Sequence, residues 1–145
     1  MNQYHVSKAP TYVYQVSIET ELNFFKKLTK ATVPGVSHCD DLGYLFKHFA
    51  SPKIEPGSIE EKSITRFVKL WTNFAKYGNP TPDKNDSVLD VVWKPVTRKE
   101  LDYLDIGEKL TMKTNPFSER INFWKQIYVN SPATKKSECS YLKSI

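Results

Sequence analysis

The segment from Ser58 to Pro80, "SIEEKSITRFVKLWTNFAKYGNP", reads as a helix with both ends marked. Ser58 and Glu61 make an S-x-x-E capping box, in which a hydroxyl and a carboxylate satisfy the open N–H groups of a first turn. Ile64, Phe67, Val68, Trp71, Phe74 and Ala75 follow at spacings of three and four, which puts them on one helical face. Gly78 offers a left-handed stop, and Pro80 cannot continue the ladder. The expected helix covers residues 59–77. Its apolar face needs a surface to cover.

The flanks offer that surface only in part. Upstream, "TYVYQVSI" (Thr11 to Ile18) alternates, with Tyr12, Tyr14, Val16 and Ile18 on one face, and reads as a strand. "TELNFFKKLTK" is a connector with room for one helical turn. "DLGYLFKHF" has Leu42, Leu45, Phe46 and Phe49 at helical spacing and stays open between a short helix and an extended segment. Downstream, "NPTPDKNDSV" is a surface loop that holds the glycosylation sequon Asn85-Asp86-Ser87. "VVWKPV" and "ELDYLDIG" read as short extended segments. Asn115 and Pro116 are set to cap and start a second helix, with Phe117, Ile121, Trp124, Ile127 and Tyr128 along one side. One firm strand and two weak ones are a thin sheet for two amphipathic helices. The chain therefore reads as part of a larger α/β domain over residues 1–130, with 131–145 as a basic, disordered tail.

Composition narrows the function classes. Hydrophobic residues at 39% and aromatics at 13% exclude a disordered chain. The net charge of +5 gathers at Lys135, Lys136 and Lys143, while elsewhere both signs are mixed. No basic run with interleaved aromatics marks a nucleic-acid face, so nucleic acid is not an expected partner. No apolar run reaches membrane-spanning length, and the N-terminal ten residues lack the apolar core of a signal peptide. Cys39 and Cys139 have no metal-ligand spacing, and their pairing is open.

The chemistry concentrates between Val33 and Phe46, "VPGVSHCDDLGYLF". Gly35-Val36-Ser37-His38-Cys39 begins like the G-x-S-x-G nucleophile elbow, but Cys39 replaces the last glycine and no buried apolar strand precedes it. Cys39 as a thiol nucleophile would need an imidazole within reach, and sequence neighbours point their side chains apart. His38, Cys39, Asp40 and Asp41 are too close in sequence to surround one metal ion. His38 itself is either a surface loop histidine or one member of a dispersed triad, presented on a loop after a strand.

The same stretch resembles the histidine motif of the type-B carboxylesterases, the family of the cholinesterases and many insect esterases. The likeness extends to "YVYQVSIETELNFFKKL", to the helix with Arg66, Trp71, Asn73, Phe74, Ala75, Gly78, Asn79 and Pro80, and to "VVWKPV", "LDYLDIG" and "ERINFW" in order. It covers roughly residues 10–128 and is nearest in flavour to insect esterases. The resemblance implies the C-terminal part of an α/β-hydrolase, whose triad runs Ser, then Asp or Glu, then His. It makes His38 the catalytic histidine and a small carboxylic ester the substrate, with no cofactor or metal. The serine, the acid and the oxyanion loop are then expected upstream, and the chain alone is expected to be inactive. Asp40 and Asp41 are expected to bond loop N–H groups rather than serve as the triad acid. Cys39 departs from the small residue usual at its position. Some relatives are catalytically dead adhesion proteins, which is the alternative reading. Secretion is expected for a full-length parent.

Overall fold

The computed structural model describes residues 9–97 and 101–131. The chain divides into two compact units, Met1–Thr114 and Asn115–Ile145. The first holds strand β1 (Tyr14–Val16), helices α1 (Phe24–Thr29), α2 (Leu42–Leu45) and α3 (Ile59–Tyr77), and strands β2 (Asp102–Ile106) and β3 (Leu110–Thr114). The second holds α4 (Ser118–Asn130). The tail expected at 131–145 lies outside the described residues beyond Ser131, as does Cys139. Cys39 carries a free thiol.

Helix α3 has the bounds its caps imply. The Ser58 hydroxyl accepts the Glu61 N–H at 3.2 Å. The Glu61 carboxylate reaches one residue further back than a capping box does, accepting the Gly57 N–H at 2.7 Å. Gly78 closes the helix at φ +64°, a backbone region that glycine enters without a Cβ penalty. The buried seam is rotated from the expected face: Ser63, Phe67 and Leu70 are buried, while Val68 and Phe74 are exposed. Ser63 tolerates burial because its hydroxyl donates to the Ile59 carbonyl at 2.6 Å.

The sheet has the order β1–β2–β3. β1 and β2 are parallel, in register Tyr14 with Leu104 and Val16 with Ile106. β2 and β3 are antiparallel. Parallel pairing requires a crossover, which the helical segment between β1 and β2 provides. The expected strand at 11–18 shrinks to three residues, and "VVWKPV" forms no strand. That segment is held by single contacts instead: Val96 N–H to the Thr11 carbonyl at 2.8 Å and Trp93 Nε1 to the Val13 carbonyl at 3.2 Å. Pro95, without an N–H, cannot join a ladder there. β3 was not foreseen from its sequence. α4 starts later than the Asn115–Pro116 pair implies: Asn115 and Phe117 both sit at positive φ, and Phe117 is the N-cap.

The core of the first unit joins Ile18, Leu22, Tyr44, Phe67, Leu70, Leu89, Trp93, Leu104 and Ile106. Phe67 is central: its ring stacks on Tyr44 at 4.8 Å and on Trp71 at 5.4 Å. Arg66 ties α3 to the β2–β3 turn by donating from Nη1 to the Glu108 carbonyl at 2.8 Å. Gly43 lies against the connector after β1, where a Cβ would meet the Leu22 carbonyl oxygen at 1.9 Å. Alanine is the better helix former by about 1 kcal/mol, yet here backbone blocks it. Gly43→Ala is expected to destabilise the fold by about 2 kcal/mol or more, read as a lower urea midpoint; a raised midpoint would show that the connector yields.

Candidate active site

His38 sits in a turn between α1 and α2 and is exposed. Among the described residues no hydrogen bond holds its imidazole. The backbone around it is tied down from four directions.

Asp40 is the first tie. Its side chain is fully buried. Oδ2 accepts the Ser37 N–H at 2.8 Å and Oδ1 accepts the Lys26 N–H, in α1, at 3.0 Å. Both oxygens thus serve backbone donors, as a buried carboxylate must to offset its desolvation. Glu19 is the second tie: Oε1 accepts the Gly35 N–H at 2.7 Å. Lys26 is the third, its Nζ donating to the Gly35 carbonyl at 2.9 Å and to Glu19 Oε2. The Lys26 ammonium, and then the Gly35 N–H, hold the Glu19 carboxyl below the usual range. Asp41 is the fourth, bonded by the Tyr14 phenol of β1; burial first, and then the Asp41 carboxylate, raise that phenol above its usual value.

The connector that enters this region is equally fixed. The side-chain Oδ1 of Asn23 accepts the Thr20 N–H at 2.6 Å and the Tyr44 hydroxyl at 2.9 Å. Asn23 Nδ2 donates to the Ile18 carbonyl at 3.2 Å. Tyr44 thereby links α2 to the residues after β1, and burial pushes its phenol up to about 12. A phenol raised in the folded state favours folding fully below its ordinary pKa of about 10 and loses that contribution as pH rises through the folded value. Stability is therefore expected to fall between about pH 10 and 12, and Tyr44→Phe is expected to flatten the decline. An unchanged slope in urea titrations at those pH values would exclude Tyr44 as its source.

Two backbone positions mark the turn. Gly35 stands at φ +107° with open space around it, so conformation rather than room calls for glycine. Cys39 stands at φ 68°, a left-handed position for a residue with a Cβ. A small residue, and glycine best of all, suits that backbone, which gives the departure noted in the sequence a physical cost. Ser37 is exposed and contributes its N–H to the Asp40 brace. The geometry thus presents one exposed imidazole on a braced turn. What it can do chemically is accept and return a proton at a group brought to it. The braces at Glu19 and Lys26 escaped the sequence reading, and only the charge pair nineteen-to-twenty-six could have hinted at them.

The sequence pattern of the carboxylesterase family matches residues 1–124. The chain belongs to that family. Human bile salt-activated lipase is 30% identical over 142 residues, covering 94% of this chain and 18% of that protein. The juvenile hormone esterase of Tribolium castaneum is 50% identical over 54 residues, 35% of this chain and 9% of that protein. Among solved structures, the juvenile hormone esterase of Manduca sexta superposes with a TM-score of 0.62 at 24% identity, over 83% of this chain and 23% of its own. That likeness gives the fold, an α/β-hydrolase, of which this carboxylesterase chain holds a small mixed sheet and flanking helices. The chain spans about a fifth of the length of these broadly matching relatives. Among the described residues, no helix of this family member is long and apolar enough to cross a membrane.

Proposed function

We propose that this chain is the C-terminal part of a serine carboxylic ester hydrolase and that His38 is its catalytic histidine. The observation that carries the reading is the exposed imidazole on a turn braced by Asp40, Glu19, Lys26 and Asp41, within a family-matched segment. In this reading a serine from elsewhere in the polypeptide attacks the ester carbonyl. His38 takes the serine proton and then gives it to the leaving alcohol. A separate carboxylate orients the imidazole, and backbone N–H groups hold the oxyanion. Asp40 is not that carboxylate, because both its oxygens are engaged by backbone donors. The substrate is a small carboxylic ester.

Two experiments test this. The 145-residue chain alone is expected to show no hydrolysis of p-nitrophenyl esters above background, since it holds no G-x-S-x-G nucleophile. A chimera in which residues 11–131 replace the matching segment of the Manduca sexta esterase is expected to hydrolyse esters and to depend on His38. Turnover by the chain alone, or a chimera indifferent to His38, would overturn the proposal.

A further inference from the structure

We propose that Lys26 and Glu19 are positioning residues for His38, forming a charge-paired clamp on the Gly35 peptide. The inference rests on His38 being the catalytic base, and it adds residues that neither the motif nor the triad logic contains.

The argument starts from Gly35. With no Cβ and a positive φ, it is the most freely rotating point in the turn that leads to His38. It is also held on both sides of its backbone. Its N–H goes to Glu19 and its carbonyl receives Lys26. The two holding groups pair with each other, so neither can move without the other. Lys26 adds a third attachment through its own N–H, on Asp40 Oδ1. One residue therefore bonds the turn before His38 and the residue two positions after it.

Magnitude decides what this pair is for. Glu19 is open to water, with its side chain 43% exposed, and such a pair contributes little to folding stability. Its geometry does more. A displacement of about 1 Å at a catalytic group costs on the order of 100-fold in rate, and the clamp fixes the rotation that would produce one. The adjacent pair, Lys27 with Glu21, supplies an internal control: Lys27 lies on the same helix, the pair is more exposed, and among the described residues it makes no hydrogen bond to the turn that carries His38.

The consequence is a loss in turnover without a matching loss in binding. In the chimera, Lys26→Met and Glu19→Ala are each expected to lower kcat about 10- to 100-fold with KM little changed. Lys26→Arg, which keeps the charge and the donors, is expected to restore most of the rate. The double variant is expected to be no worse than either single one, because the two act as one unit. Lys27→Met is expected to match the unaltered chimera. The 145-residue chain gives a second reading without catalysis. Its Gly35 amide is expected to exchange at least tenfold more slowly than in an unstructured peptide, to lose that protection in Lys26→Met and Glu19→Ala, and to keep it in Lys27→Met. Should Lys26→Met fail to fold, Glu19→Gln, which keeps an acceptor for Gly35 but not the charge, carries the same test with an intermediate loss.

The outcomes separate. Wild-type kcat in Lys26→Met, an equal fall in Lys27→Met, or an unprotected Gly35 amide in the unaltered chain overturns the clamp. If His38→Ala is silent as well, the fault lies with the catalytic assignment itself.

Discussion

His38→Ala in the chimera is expected to lower kcat/KM by about 10⁴-fold or more. The size follows from what the imidazole does. It must take a proton as the serine attacks and deliver one as the alcohol leaves, and a serine hydroxyl without a base is a weak nucleophile. Because both transfers occur in the transition state, the fall should appear in kcat rather than KM. What survives should be the contribution of the oxyanion donors and of binding. His38→Gln is the sharper variant, since an amide keeps a polar side chain in an exposed turn without a titrating nitrogen. Folding should be little affected by either change, because His38 is exposed. A loss below tenfold in both variants, with normal unfolding midpoints, would remove His38 from the mechanism.

The second large effect concerns stability. Phe67→Ala is expected to cost about 3–5 kcal/mol, which is a large share of the 5–15 kcal/mol that typically holds a domain together. Phe67 is fully buried, and its ring lies nearly parallel to Tyr44, at 16° between planes. Truncation removes the packing of one aromatic and leaves two others facing a void. It also loosens Tyr44, the side chain that links α2 to Asn23 and Thr20. The damage should thus reach the turn that carries His38. Phe67→Leu keeps most of the volume and is expected to cost less than half as much. A urea midpoint for Phe67→Ala close to that of the unaltered chain would mean that the stack collapses without penalty.

What could be read in the sequence was whatever local chemistry settles. Helix α3 was legible because Ser58, Glu61 and Gly78 mark its ends within a few residues. The buried side of that helix was legible only roughly, because counting apolar residues misses a serine that satisfies its hydroxyl on its own turn. β3 was not legible. "LTMKT" alternates, with Leu110 and Met112 packed against the core, but two apolar residues in five are too short a signal by themselves, and the segment is held extended by β2 beside it. α1 was read as at most one turn, since it carries no side-chain cap, yet six residues are helical. The brace by Asp40 was expected, its carboxylate being three residues from the Ser37 N–H that donates to it. The clamp from Glu19 to Gly35 was not, because it closes a sixteen-residue span whose ends meet only once β1 and α1 are in place.

Among the described residues, β1 stands at the edge of the sheet, paired with β2 alone. Its residues run toward Glu19, which holds the Gly35 peptide, so the carboxyl end of β1 points to the rim where His38 is displayed. The free side of β1 therefore has a direction as well as a vacancy for hydrogen bonds. A strand that adds in parallel, about 4.8 Å away, delivers whatever follows it in sequence to the same rim. A strand that adds in the opposite sense delivers what precedes it. Polarity at this one edge sorts which side chains of an incoming chain meet the imidazole and which are turned to the far end of the sheet.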